Sequence, residues 1–207
     1  MSYPMNAGEP QQFLCSKTWM RDSIVDYARL ARPMQGTLDK AMTQTSRGTK
    51  HAAAGIPIAR TEQECAAYDS VKQALTDAAT LAFPELDAEV VLLLDASDMG
   101  WSVLVTQVPN WKSDAGIQDQ QHELLICRGG NFTGAPKNWS VIEKEDYPII
   151  MACDNLSYLL LRPGGFHMCY NHRNLIHVFA SGHEVKKHIR VKRLGWSMKL
   201  MKFRYTI

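Results

Sequence analysis

The sequence predicts an α/β fold: a mixed five-stranded sheet that begins as an antiparallel meander, continues with parallel strands and carries flanking helices. Three observations point there. Val90–Leu94 is an unbroken apolar run that ends in the turn chemistry Ala-Ser-Asp-Met-Gly, the pattern of a strand buried on both faces. Trp101–Val108 alternates, as an antiparallel strand with one better-buried face does. From Ser140 onward, helical and strand-like stretches take turns, so the later strands arrive by crossover connections.

Taken in order, residues 11–42 read as helical. Phe13, Leu14, Trp19, Met20, Ile24, Tyr27, Leu30, Met34 and Leu38 recur at roughly helical spacing, with a break expected at Pro33. Residues 43–60 lose this periodicity and gain Thr, Gly and Lys, which predicts a flexible linker. Thr61 then starts a helix reaching Ala79, because T-E-Q-E sets a glutamate three residues after the threonine, the capping-box spacing. Strands follow at Val90–Leu94, Trp101–Val108 and Glu123–Arg128, the last two separated by the polar loop 109–121. A long helix from about Ser140 to Leu161 stops at Arg162-Pro163-Gly164-Gly165. Phe166–Tyr170 is a short strand, His172–Phe179 and Val185–Met201 are helices, and Lys202–Ile207 is a last strand. The organisation predicted is a helical segment 1–42, a linker 43–60 and an α/β domain 61–207.

At 207 residues and 45% hydrophobic, the chain can bury a substantial core. A net charge of +2 excludes a polycation, but Lys186 to Arg204 holds eight Lys/Arg and no acidic residue. Within it, Lys186, Lys187, Arg190, Lys192 and Arg193 could track a phosphate backbone; a solvated helix face explains them equally well. The cysteines are scattered, with no C-x-x-C pair to suggest zinc or a disulfide framework, so reduced thiols are expected. The first residues lack a signal-peptide pattern and no apolar run approaches the ~18 residues of a membrane span. These observations predict a soluble, intracellular protein that has no membrane partner.

Asp95, at the end of the apolar run, lies where a sheet meets solvent and where a carboxylate can hold a metal ion or substrate. A turn or cap aspartate is the plainer alternative. W-S-V-I-E-K-E-D-Y-P adds Glu143, Glu145 and Asp146. Glu143 stands three residues after Ser140 and suits a capping box. Glu145 shares helical spacing with Ile149, Ala152 and Leu156, so it lies on or near the face toward the sheet, and Pro148 requires the helix to start near it or bend. Two carboxylates from different elements suit a hard divalent cation.

Several runs in register give these residues a context. They are A-A-Y-D-S-V-K-Q-A-L-T-D (66–77), L-A-F-P-E-L-D (81–87), L-L-L-D-A-S-D-M-G (92–100), F-T-G-A-P-K-N-W-S-V-I-E-K-E (132–145), L-S-Y-L-L-L-R-P-G-G-F (156–166) and N-H-R-N-L-I-H-V-F (171–179). In this order the chain resembles the ribonuclease H-like domain of reverse transcriptases from gypsy-class long-terminal-repeat retrotransposons. Residues 11–34 also resemble the segment that connects that domain to the polymerase palm.

The resemblance implies a ribonuclease H-like fold and metal-dependent hydrolysis of the RNA strand of RNA–DNA hybrids, using Mg²⁺ or Mn²⁺. It implies two partners: the hybrid, and the polymerase part of the same polyprotein. Asp95 matches the family's first metal-binding aspartate and Glu145 its catalytic, metal-holding glutamate. The third carboxylate position holds Asn171, a neutral amide that offers a dication far less charge. The family's last carboxylate and its C-terminal helix have no counterpart before Ile207. With two of four ligands matched, metal binding and cleavage are expected to be weakened. A non-catalytic hybrid-binding module and a decayed element without selected function are the alternatives. His172 reads as a cap or packing residue rather than a ligand, and Trp196, Met198, Met201 and Phe203 read as core.

Overall fold

The computed structural model describes residues 3–43, 53–58, 61–78, 80–170 and 195–207. They fall in two compact units, Met1–Ala79 and Thr80–Ile207.

The first unit is helical. Helix α1 (Gly8–Lys17) runs into a tight 3₁₀ segment, Thr18–Ser23, and α2 spans Tyr27–Thr43. The expected break at Pro33 is absent, for Pro33 lies inside α2. Proline forfeits one backbone bond there, but Ala31, Met34, Leu38 and Ala41 form a continuous buried stripe that holds the helix on. The chain turns earlier instead, at Asp26. Its φ of 58° is a conformation aspartate tolerates, and its carbonyl accepts from the Arg29 and Leu30 amides at 2.9 and 3.0 Å.

Helix α3 (Glu62–Thr76) begins with the predicted capping box. The Thr61 hydroxyl accepts from the Glu64 amide and Glu64 accepts from the Thr61 amide. α3 packs on α2 through Ala67, Tyr68 and Val71, so in space it belongs to the helical unit. Of the predicted linker, residues 44–52, 59 and 60 lie outside the described residues. Residues 53–58 pack within this unit: Ala53 is buried, and the Ile56 carbonyl accepts from Ala7 at 2.9 Å.

The second unit is built on a five-stranded sheet in the order β3-β2-β1-β4-β5. β1 (Glu89–Ala96), β2 (Gly100–Val108) and β3 (Glu123–Asn131) form the antiparallel meander, and β4 (Phe166–Tyr170) and β5 (Tyr205–Thr206) add on in parallel. Val90, Val91 and Leu92 are all buried, so both faces of β1 are covered. Helix α4 (Val141–Asn155) packs on β1 and β2. Its Ile149, Ala152 and Cys153, with Leu156 just beyond, join Val90, Leu92, Leu94, Val103 and Val105 in one core.

The capping box at Ser140 and Glu143 fixes where α4 starts. Pro148 is interior, and has no N–H to give the Lys144 carbonyl. The long helix predicted to Leu161 is interrupted at Leu156, after which α5 (Ser157–Leu160) makes one turn. Gly165, with φ +79°, lets the chain enter β4 close to Arg204; a Cβ there would stand 2.4 Å from the Arg204 carbonyl oxygen. Residues 195–200 are helical. Leu200 is buried and Phe203 packs on the core, but Met198 and Met201 are exposed rather than core. Helical geometry separates them: Trp196 and Leu200 are four apart and share a face, whereas Met198 lies between them on the other side.

Candidate functional site

Asp95 is the last residue but one of β1, and it is exposed directly after the buried Leu94. Hydrophobic burial ends at this point, and the strand delivers a carboxylate to the rim of the sheet. The next four residues turn into β2. The Ser97 amide donates to the Gly100 carbonyl at 2.8 Å, and the Ser97 hydroxyl accepts from the Met99 and Gly100 amides. The Met99 carbonyl accepts from the Phe132 amide at 2.9 Å, which fastens the turn to the chain leaving β3.

Glu145 is half-buried in the second turn of α4. Glu143 is occupied by the cap, its carboxylate accepting from the Ser140 amide and hydroxyl at 3.0 and 2.9 Å. Asp146 is fully buried behind them. An ionic link between the Asp95 turn and the helix is Lys144, whose Nζ reaches Asp98 Oδ1 at 3.2 Å and lies 5.9 Å from the centre of the Phe132 ring. Sequence reasoning missed this pair. Each residue neighbours a predicted one, but opposite charges 46 positions apart give no sequence signal.

The other predicted site residues, Asn171 together with Lys186, Lys187, Arg190, Lys192 and Arg193, lie outside the described residues, as do His172 and the predicted helix His172–Phe179. His167 belongs to another place. It pairs with Val91, four residues before Asp95 and roughly 13 Å away along a strand. There it stacks on Trp111 at 4.2 Å and pairs with Glu89 at 3.3 Å.

Asp95 and Glu145 are hard oxygen donors and fit a divalent cation in kind. Among the described residues, no group of three His, Cys, Asp or Glu stands close enough to hold a metal by itself. Burial pushes the Cys153 thiol up to about 12, with Asp154 adding to the rise and Lys199 opposing it, and burial also raises Cys169. Thiols so shifted stay protonated and unreactive near neutral pH.

The sheet order and the two carboxylate-bearing elements can now be set beside known proteins. Residues 61–167 match the RNase H-like domain found in reverse transcriptase, over more than half of the chain. The chain belongs to this family. Among curated proteins it is 26% identical to the retrovirus-related Pol polyprotein from transposon opus of Drosophila melanogaster, over 98% of this chain and 18% of that protein. It is 25% identical to the transposon Tf2-3 polyprotein of Schizosaccharomyces pombe, over 99% of this chain and 14% of that protein. The chain therefore spans less than a fifth of the relatives it matches.

Solved structures agree on the fold of this RNase H-like chain. A foamy viral protease-reverse transcriptase in complex with double-stranded DNA matches with a TM-score of 0.71 at 14% identity, over 100% of this chain and 38% of that one. The same kind of enzyme in complex with an RNA/DNA hybrid matches at 0.66 and 15% identity, over 99% and 25%. Among the described residues, no helix is long and apolar enough to cross a membrane.

Proposed function

We propose that this RNase H-like chain is the part of a retrotransposon polyprotein that engages an RNA–DNA hybrid, and that its metal-dependent hydrolysis of the RNA strand is weakened. The observation that carries the reading is the placement of Asp95 and Glu145. One stands near the end of the central strand and the other in the second turn of a helix packed on that strand, at the positions where the resemblance to the family implies metal-holding carboxylates. Asp95 and Glu145 would hold Mg²⁺ or Mn²⁺. Such an ion lowers the pKa of a bound water and stabilises the leaving oxygen. The two carboxylates supply negative charge and orientation, and the neutral Asn171 at the third position supplies less. The basic residues 186–193 suit a phosphate backbone and the rest of the polyprotein suits the polymerase partner.

The test is a labelled RNA–DNA hybrid incubated with Mg²⁺ or Mn²⁺, with binding and cleavage read separately. Expected are salt-dependent binding, slow cleavage, and an increase of about tenfold or more on Asn171→Asp, the scale on which ligand-shell changes act. Fast cleavage by the natural chain that disappears on Asp95→Asn overturns the weakening. Absence of hybrid binding overturns the substrate. Binding with no cleavage, even with Asn171→Asp, favours a non-catalytic module, the reading that the altered third position supports next best.

A further inference from the structure

Lys144 is an unusual side chain: an ammonium-bearing residue only 8% exposed, reaching out to a carboxylate, Asp98, that is 83% exposed. Lysines are rarely buried without a reason. Its two neighbours show what it holds. Asp98 sits three residues after Asp95, in the turn 97–100, and Lys144 directly precedes Glu145. The Phe132 ring lies within cation–π range of the ammonium at 5.9 Å, and its amide donates to Met99 in the same turn. The turn is thus fixed from three directions: by the Ser97 hydroxyl within it, by Phe132 from the end of β3, and by Lys144 from α4. Lys144 adds an ionic tie between the segment carrying Asp95 and the helix carrying Glu145, beside the apolar packing of Tyr147 on Trp101 and Phe132.

We propose that the Lys144–Asp98 ion pair is a positioning device that holds Asp95 and Glu145 within reach of one divalent cation. This rests on the metal-site reading above. The sign of the effect separates positioning from plain charge. Lys144 is a cation beside a cation site, so if only its charge mattered, removing it would tighten metal binding. If it positions the two carboxylates, removing it weakens binding, as loss of outer-shell support does by about tenfold to a hundredfold.

The experiment uses the full chain, with paramagnetic broadening of the Asp95 and Glu145 amide NMR signals during a Mn²⁺ titration. In the natural chain both signals broaden over one concentration range, and Asp95→Asn abolishes this at both. Lys144→Met, which keeps the alkyl stem, raises the concentration needed by about tenfold or more and makes the two signals broaden separately. Lys144→Arg restores the common range. Should Lys144→Met fail to fold, Asp98→Asn, at an exposed position, gives the same separation in about 0.3 M KCl, where a Debye length of roughly 6 Å screens the plain charge effect. Unchanged or tighter binding in Lys144→Met, with Asp95→Asn still abolishing it, overturns the positioning role alone. Broadening that ignores Asp95→Asn overturns the metal site, and the positioning role with it.

Discussion

The two units bury different kinds of core. Among the described residues, the helical unit mixes Phe13, Leu14, Met34, Leu38, Tyr68 and Val71 with Ala7, Ala31, Ala41, Ala53 and Ala67. The main buried cluster of the sheet unit holds one alanine, Ala152, among branched and aromatic side chains such as Leu92, Val103, Ile149, Leu156 and Phe166. Alanines let helices approach closely but remove little apolar area from water, whereas Leu, Ile and Phe bury far more each. A platform of large, interdigitated side chains also moves little, and rigidity is what a site built from two separate elements needs. The candidate carboxylates lie on the sheet unit, one residue beyond Leu94 and four before Ile149.

The largest test of this contrast truncates one leucine in each unit. Leu92→Ala is expected to lower the sheet unit's stability by about 4 kcal/mol, and Leu38→Ala the helical unit's by about 2 kcal/mol, because Leu92 is fully buried while Leu38 keeps 8% of its surface exposed. Hydrogen exchange read separately in each unit during denaturation checks this, and equal losses would break the comparison. Next is Gly165→Ala. A positive φ and a Cβ placed 2.4 Å from the Arg204 oxygen require the β4–β5 junction to shift, at a cost of about 2–3 kcal/mol, with exchange protection lost first at Tyr205 and Thr206.

The two capping boxes then compare like with like. Thr61→Ala and Ser140→Ala are each expected to cost about 1 kcal/mol, with the larger loss at Ser140, whose partner Glu143 is buried while Glu64 is only half-buried. Urea midpoints of the two variants decide the order.

The smallest effect concerns thiols. The exposed Cys15 is expected to react with a thiol reagent at about pH 8, while buried Cys153 does not. Because burial raises the Cys153 thiol from 9.0 to about 12, the folded chain keeps a proton that the unfolded chain loses. Its contribution to stability is therefore full below pH 9 and falls as pH rises from 9 to about 12. Replacing Cys153 by alanine should remove that decline from a stability–pH profile.

Much of the fold was legible because its signals are local. The apolar run Val90–Leu94, the alternation of Trp101–Val108, both capping boxes and the Gly164–Gly165 stop each act over a few residues, and each names its element correctly. Pro33 misled because its local penalty was set against a buried stripe that only packing supplies. Leu156 interrupts the long helix without a proline or glycine to announce it. Met198 and Met201 misled because apolar character does not say which face of a helix meets a core.

The amino-acid sequence by itself determined the first four strands, the two capped helix starts and the placing of Asp95 near the end of β1. It could do so because hydrophobic period and capping chemistry are written in neighbouring residues. Tertiary structure alone decided that α3 packs with the helical unit, that Pro33 stays inside a helix, and that Lys144 reaches Asp98 across 46 positions. Those outcomes depend on which surfaces meet, and no window along a chain contains both partners of a long-range contact.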